Sequence, residues 1–254
     1  MYADIRGDEM KRIAVIVVVS VLLMSGCSAQ QTDMAQRTTG KLSQTMKIIT
    51  RHMQNTVPVD RLMLVNAWNP FPEGEAAGLV NIAQAISCRN IVLKSSDMRG
   101  NEEAVRALQD MALAMEKDGL SPLRLTSAYR SYAYQEDLFE NKLQRVTATG
   151  VDIRDAEEIA AQEVARPGTS EHHTGLAFDF TGEDGTLDSF YRSEAYAWIE
   201  TYGAQYGFIV RYKEDKSHLT GIIYEPWHLR YVGATAAEAI TERNLCLEEY
   251  LAGV

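Results

Sequence analysis

The stretch SEHHTGLAFDF, Ser170–Phe180, changes character halfway along. Its first half is polar and carries two of the five histidines in a 254-residue chain. After Gly175 an alternating run follows, with Leu176, Phe178 and Phe180 on one face and Ala177 and Asp179 on the other. The pattern predicts a polar turn, a glycine that lets the chain reverse tightly, and a strand with its apolar face in the core. His172 and Asp179 then suit a zinc ion, which takes imidazole and carboxylate ligands in tetrahedral geometry and keeps one position open where it is catalytic. Alone, the stretch fits equally well a solvated loop followed by an exposed strand aspartate.

The surrounding sequence supplies the partners of that strand. NEEAVRALQDMALAMEKDGL reads as a helix capped by Asn101, with Glu102 and Glu103 at the positive end of its dipole and Val105, Leu108, Met111, Ala112 and Met115 on one face. LRLTSAY reads as a strand, with Leu123, Leu125 and Ser127 alternating against Arg124 and Thr126. YQEDLFENKLQRV, DAEEIAAQEVA and SEAYAWIETYGAQYG read as helices, and GFIVRY and TGIIYEPWHLRYV as strands. A last helix is expected from Thr235, with Glu238 completing a capping box. Helices that come first and strands that cluster later predict an α+β fold: a single domain with a small antiparallel sheet packed against helices.

The N-terminus reads differently. Lys11 and Arg12 precede IAVIVVVSVLLM, a run too short for a membrane span of about 20 residues but suited to a secretory signal. The run ends in LMSGC, so residues 1–26 are expected to be a signal peptide and Cys27 the lipidated first residue of the mature chain, although Met24 departs from the usual leucine. An uncleaved anchor or a plain signal peptide is the alternative; all three place the domain outside the cytoplasm. Residues 27–57, rich in Gln, Thr and Ser, read as a tether, and 58–254 as the domain. Residues 1–26 hold three acids and three bases, so the mature chain keeps the net charge of −10, which argues against nucleic-acid binding. Cys88 and Cys246 are read either as a disulfide or as two buried thiols.

Two more segments combine polar groups with strand or loop context. In YEPWHLRYV, Glu225 and His228 stand on an otherwise apolar strand, where a charge is costly unless it is paired or metal-bound. His228 offers a third metal ligand and Glu225 a general base. Taken alone, His228 also reads as a satisfied core histidine, and Glu225 as a salt-bridge partner of Arg230 or Arg211. In SAYRSYAYQ, Arg130 presents a planar fork suited to an oxyanion or a carboxylate, with Ser127 and Gln135 nearby to add hydrogen bonds. Taken alone, Arg130 reads as a surface arginine.

Together these segments resemble the VanY-type D-alanyl-D-alanine carboxypeptidases among the M15 zinc peptidases. SEHHTGLAFDF fits their S-x-H-x-x-G-x-A-x-D pattern, SAYRSYAYQ their S-x-Y-R-S segment, and GFIVRYKEDKSHLTGIIYEPWHLRYVG their C-terminal block, over about Leu62 to Gly233. LMLVNAWNPFP resembles the family's opening segment more loosely. The resemblance implies one zinc ion on His172, Asp179 and His228, Glu225 as catalytic base, Arg130 polarising the scissile carbonyl, and Ser170 and Gln135 near the substrate's C-terminal end. His173 matches no ligand position. The implied activity is removal of the terminal D-alanine from peptidoglycan stem peptides. The N-terminal segment, which lies outside the resemblance, is expected to tether the chain to the membrane through its lipid or anchor, and a monomer is expected. Close alternatives are an L,D-carboxypeptidase and an endopeptidase on the same site. A non-catalytic zinc-stabilised wall-binding module is a different class, and it should lack the base.

Overall fold

The computed structural model describes residues 56–253. The signal peptide, Cys27 and nearly all of the expected tether lie outside the described residues. The last two tether positions do not: β1 (Thr56–Val57) pairs in parallel with β2 (Glu75–Ala76), so ordered pairing begins by Thr56.

In chain order, β3 (Leu79–Asn81), α1 (Ile82–Ala85), β4 (Ile91–Leu93) and β5 (Arg99–Asn101) come before α2 (Glu102–Lys117). The expected order of helices before strands therefore fails at the start. These early strands have two or three residues each, too few to show a period in the sequence. Then follow β6 (Leu123–Ser127), α3 (Tyr132–Thr147), α4 (Ile153–Glu163), a 3-10 turn at Glu171–Thr174 and β7 (Ala177–Thr181). The chain continues with α5 (Leu187–Phe190), α6 (Glu194–Tyr202), β8 (Phe208–Tyr212), α7 (Ser217–Thr220), β9 (Glu225–Tyr231), α8 (Ala234–Glu242) and α9 (Leu247–Ala252).

The main sheet has the order β4-β6-β7-β9-β8, antiparallel except for the parallel edge pair β4–β6. The α+β expectation therefore holds, with a mixed rather than fully antiparallel sheet. Helix α2 packs the predicted stripe of Val105, Leu108, Met111, Ala112 and Met115 against Leu123, Leu125, Phe178 and Phe180 of the sheet. Phe178 and Phe180 are fully buried, and burying side chains of this size contributes about 1.5–3 kcal/mol each. Asn101 caps α2 as expected, its side chain accepting from Glu103 and Ala104 N–H. The capping box expected at Thr235 is absent. Gly233, at φ 81°, turns the chain straight into α8, so Thr235 already lies in the first turn. The box sits one helix later, on Cys246 and Glu249 of α9. Cys88 and Cys246 are free thiols.

Gly175 closes the histidine turn at φ 72°. A Cβ there would lie 2.5 Å from Leu79 Cδ2 and 2.9 Å from the Asn101 main-chain nitrogen, and Asn101 N–H donates to the Gly175 carbonyl. Gly175→Ala combines left-handed backbone with a main-chain clash and is expected to destabilise the domain by about 3 kcal/mol, measured by denaturant unfolding.

Candidate metal centre

The centre is built where β6, β7 and β9 meet the histidine turn. Asp179 on β7 lies opposite His228 on β9 and Ser127 on β6. Both neighbouring strands are irregular at this level. Between the pairs Leu125–Phe180 and Ser127–Asp179, β6 advances by two residues and β7 by one. The extra residue takes Ser127 off the alternation that Leu123 and Leu125 follow and sets it beside Asp179. On β9, Glu225 and His228 are three residues apart and would face opposite sides of a regular strand. Between the pairs Tyr212–Glu225 and Val210–Leu229, β8 advances by two residues and β9 by four. Pro226, which cannot donate to a ladder, lies in that bulge. The result brings Glu225 Oε2 to 3.9 Å from His228 Nδ1.

The donor atoms of His172, Asp179 and His228 lie within 4.8 Å of one another, and all three side chains are buried. His172 Nε2 is 3.1 Å from Asp179 Oδ2, and His228 Nδ1 is 3.0 Å from Asp179 Oδ1. His172 Nδ1 lies 2.7 Å from the Ala128 carbonyl, an acceptor that fixes the proton there and leaves Nε2 as the lone-pair nitrogen. Burial, with Arg130 close by, pushes His172 down to about 4, so its ring is neutral near pH 7. His228 behaves oppositely: burial is outweighed by Asp179 and Glu171, and its pKa rises to about 9. The carboxylates thus favour positive charge at this spot, a condition that a metal cation satisfies as well as a proton does. Asp179 Oδ1 is buried without a hydrogen-bond partner, as expected of an atom reserved for a cation. The donor set, two imidazoles and a carboxylate, fits a catalytic zinc site with one position left over.

Glu225 lines the same cleft, of about 440 Å³, together with Arg130, Ser170, His172, Asp179 and His228. Burial lifts its carboxyl to about 8, with Asp179 adding to the shift and His228 opposing it. Positive charge at the ligand set would draw that value down, toward the range that suits a proton shuttle at neutral pH. Arg130 donates from Nε to Ser127 Oγ (2.8 Å), from one terminal nitrogen to Gln135 Oε1 (3.3 Å) and from the other to Asp179 Oδ2. Gln135 is fully buried and donates in turn to the Ala165 carbonyl (2.8 Å). Ser127 and Gln135, read from the sequence as hydrogen-bonding groups for substrate beside Arg130, both bind Arg130 itself, and neither is among the residues that line the cleft. Ser170 does line it.

Arg211 and Arg230 do not pair with Glu225. Both converge on Glu171, each with a nitrogen 2.8 Å from Oε1, and all three side chains are fully buried. Arg211 also binds Glu248 of α9 through both terminal nitrogens, and Asn66 donates to Glu248. Glu171 Oε2 faces His228 Nε2 at 3.5 Å, on the side of the ring away from Asp179. The carboxylate stands where a carboxylate–histidine pair would orient a metal-ligating ring, although at this distance neither atom completes a hydrogen bond. The sequence held a signal for it: two arginines in apolar strands, each needing a buried carboxylate. Burial alone would raise the Glu171 carboxyl, but Arg211 and Arg230 hold it well below the ordinary carboxylate range. Its stabilising contribution is therefore complete above that range and fades as pH falls toward its folded value. Glu171→Gln is expected to cost about 3–5 kcal/mol at pH 7, because it takes the paired carboxylate from the buried Arg230 guanidinium and leaves Arg211 with Glu248 alone. The gap from wild type should narrow in acid, as thermal melts of the metal-free protein at pH 7 and pH 3 would show.

A larger hollow, of about 560 Å³, lies at the other end of β6 and β7, around Arg124 and Thr181. Among the described residues no metal-ligating set lies in it, so the chemistry, not the volume, marks the functional cleft.

Residues 97–234 match the family described as VanY: D-alanyl-D-alanine carboxypeptidase. A D-alanyl-D-alanine carboxypeptidase of Enterococcus faecalis is 38% identical over 190 residues, 75% of this chain and 65% of that protein. The chain spans between about half and two thirds of the length of the first curated relatives it matches (65%, 52% and 57%). Among solved structures, VanYB in complex with D-alanine-D-alanine superposes with a TM-score of 0.64 at 35% identity, over 76% of this chain and 97% of that one. A vancomycin-resistance D,D-pentapeptidase VanY variant in complex with Zn(II) gives 0.61 at 35%, over 75% and 98%. The LdcB LD-carboxypeptidase gives 0.63 at 34%, over 75% and 85%. With the matched residues covering more than half of its length, and the histidine turn, the β7 aspartate and the β9 glutamate and histidine all inside them, the chain belongs to the VanY family of D-alanyl-D-alanine carboxypeptidases.

Proposed function

We propose that the chain is a zinc-dependent D,D-carboxypeptidase that removes the terminal D-alanine from peptidoglycan stem peptides ending in D-Ala-D-Ala. The observation that carries this reading is the convergence of His172, Asp179 and His228 with a buried fourth group, Glu225, 3.9 Å from His228 and outside the ligand set. His172 Nε2, an Asp179 oxygen and His228 Nδ1 would hold the zinc. When bound, zinc supplies a Lewis acid that polarises the scissile carbonyl and makes a water more acidic. Glu225 accepts the proton of the attacking water and returns it to the leaving amine of D-alanine. Arg130 has five N–H donors, of which three are committed, and it holds the oxygen on which charge develops. Ser170 lines the cleft, which supports a contact with the substrate's C-terminal end.

The basic, apolar and LMSGC segments ahead of the domain support an extracytoplasmic location and a membrane tether through Cys27. There the enzyme would trim cell-wall peptides and so remove the targets of cross-linking and of glycopeptide antibiotics. Similarity to LdcB favours a second reading, L,D-carboxypeptidase action on tetrapeptide stems. Purified zinc-loaded protein, incubated separately with a pentapeptide ending in D-Ala-D-Ala and a tetrapeptide ending in one D-Ala, separates the two. D-alanine released from the pentapeptide is the expected result. Release from the tetrapeptide alone would replace the D,D reading, and release from neither, with zinc bound, would indicate a binding module.

A further inference from the structure

His173 is the half of the histidine pair that the chemistry above leaves unused, yet it is 4% exposed and both of its ring nitrogens are occupied. Gly168 N–H donates to Nε2 (3.0 Å), so that nitrogen carries no proton. The proton is therefore on Nδ1, which lies 2.9 Å from the Arg130 carbonyl and donates to it. The ring stacks on Tyr132, with centroids 6.2 Å apart, and lies 6.1 Å from the tilted ring of Phe71. Phe71 N–H in turn donates to the Gly168 carbonyl (2.7 Å). Two further bonds join the same segments: Arg130 N–H donates to the His172 carbonyl (3.1 Å), and His172 Nδ1 to the Ala128 carbonyl. Residues 128–130 are thus stitched to the histidine turn on both sides of Arg130.

We infer that His173 is a positioning residue for Arg130, holding its main chain against the His172 turn so that the guanidinium and the metal-ligating imidazole keep a fixed separation. The inference rests on the carboxypeptidase reading for its kinetic consequences, but not for its geometry. Without the ring, the Arg130 carbonyl and the Gly168 N–H lose their partners and Arg130 gains freedom. A displacement of about 1 Å at a catalytic group can cost on the order of 10²-fold in rate.

The test uses zinc-loaded full-length protein and an N-acylated peptide ending in D-Ala-D-Ala. His173→Ala should lower kcat roughly 10–100-fold, the range for loss of a supporting partner, while zinc affinity in chelator competition stays at the wild-type value. His173→Asn places an N–H where Nδ1–H stood and should recover most of the rate, whereas His173→Gln, which lacks that donor, should not. In an Arg130→Ala background, His173→Ala should cost nothing more, because the two changes remove one interaction. Losses that multiply, or zinc affinity that falls in step with kcat, would overturn the inference. If His173→Ala does not fold, the Asn and Gln variants decide it: equal rates overturn it. A second readout needs no turnover. The Arg130 Nε–H, bonded to Ser127 Oγ, should give a protected nitrogen-15 NMR signal that broadens in His173→Gln and returns in His173→Asn. An unchanged signal overturns the inference even if the wild-type protein hydrolyses no such peptide.

Discussion

Glu225→Gln is expected to lower kcat on a D-Ala-D-Ala peptide by about 10³-fold, within the range for loss of a general acid–base group, while one zinc per chain stays bound. The glutamine has the same shape and fills the same buried place beside His228, so the ligand set keeps its packing. What it lacks is a site that can take and return a proton. Burial lifts the Glu225 carboxyl to about 8 and positive charge at the ligand set would draw it back toward neutrality, the range in which a group both takes and returns a proton. Steady-state kinetics beside metal analysis on the same preparation check both halves. Full activity in the variant would remove Glu225 from the chemistry, and loss of zinc would make it a ligand.

Asp179→Asn should have a comparable effect through the metal. Asp179 is the centre of the site: one oxygen faces His172 and Arg130, and the other faces His228 without a hydrogen bond of its own. His172 and Arg130 overcome burial and hold its carboxyl well below the ordinary range, so it is ionised at neutral pH. An amide has one acceptor oxygen and must turn its NH₂ either to the metal or to the Arg130 guanidinium. Loss of outer partners already costs 10–100-fold in metal affinity, and replacing a ligand should cost at least about 10²-fold. Chelator competition measures it, and wild-type affinity in the variant would remove Asp179 from the ligand set.

The parts of the site legible in the sequence are those with local pattern. Gly175 followed by alternation to Phe180 placed Asp179 on a strand with Phe178 and Phe180 in the core, and the structure keeps that strand, with Ala177 and Asp179 on its other face buried as well. Helix α2 was legible because its cap and its stripe agree. Glu225 and His228 stood out as charged groups on an apolar strand, but the resemblance was needed to put both on one side, since their odd spacing contradicts strand alternation and the bulge that reconciles them leaves no period. The arginines of β8 and β9 did signal a buried carboxylate, but Glu171 lies 40 residues from Arg211, and the choice between it and Glu225 depends on which strands meet. Ser127 moved to the site through a bulge that alternation could not show.

The central claim, a metal-dependent hydrolase assembled from His172, Asp179, His228 and Glu225, is tested most directly by one titration. Protein stripped by chelator is reloaded with zinc in steps, and bound zinc and D-alanine release from a D-Ala-D-Ala peptide are measured at each step. Release should be absent at the start, rise in proportion to occupancy and level off at one zinc per chain, with no such rise in His228→Ala. Full release from the stripped protein, or an unaltered titration in His228→Ala, would contradict it.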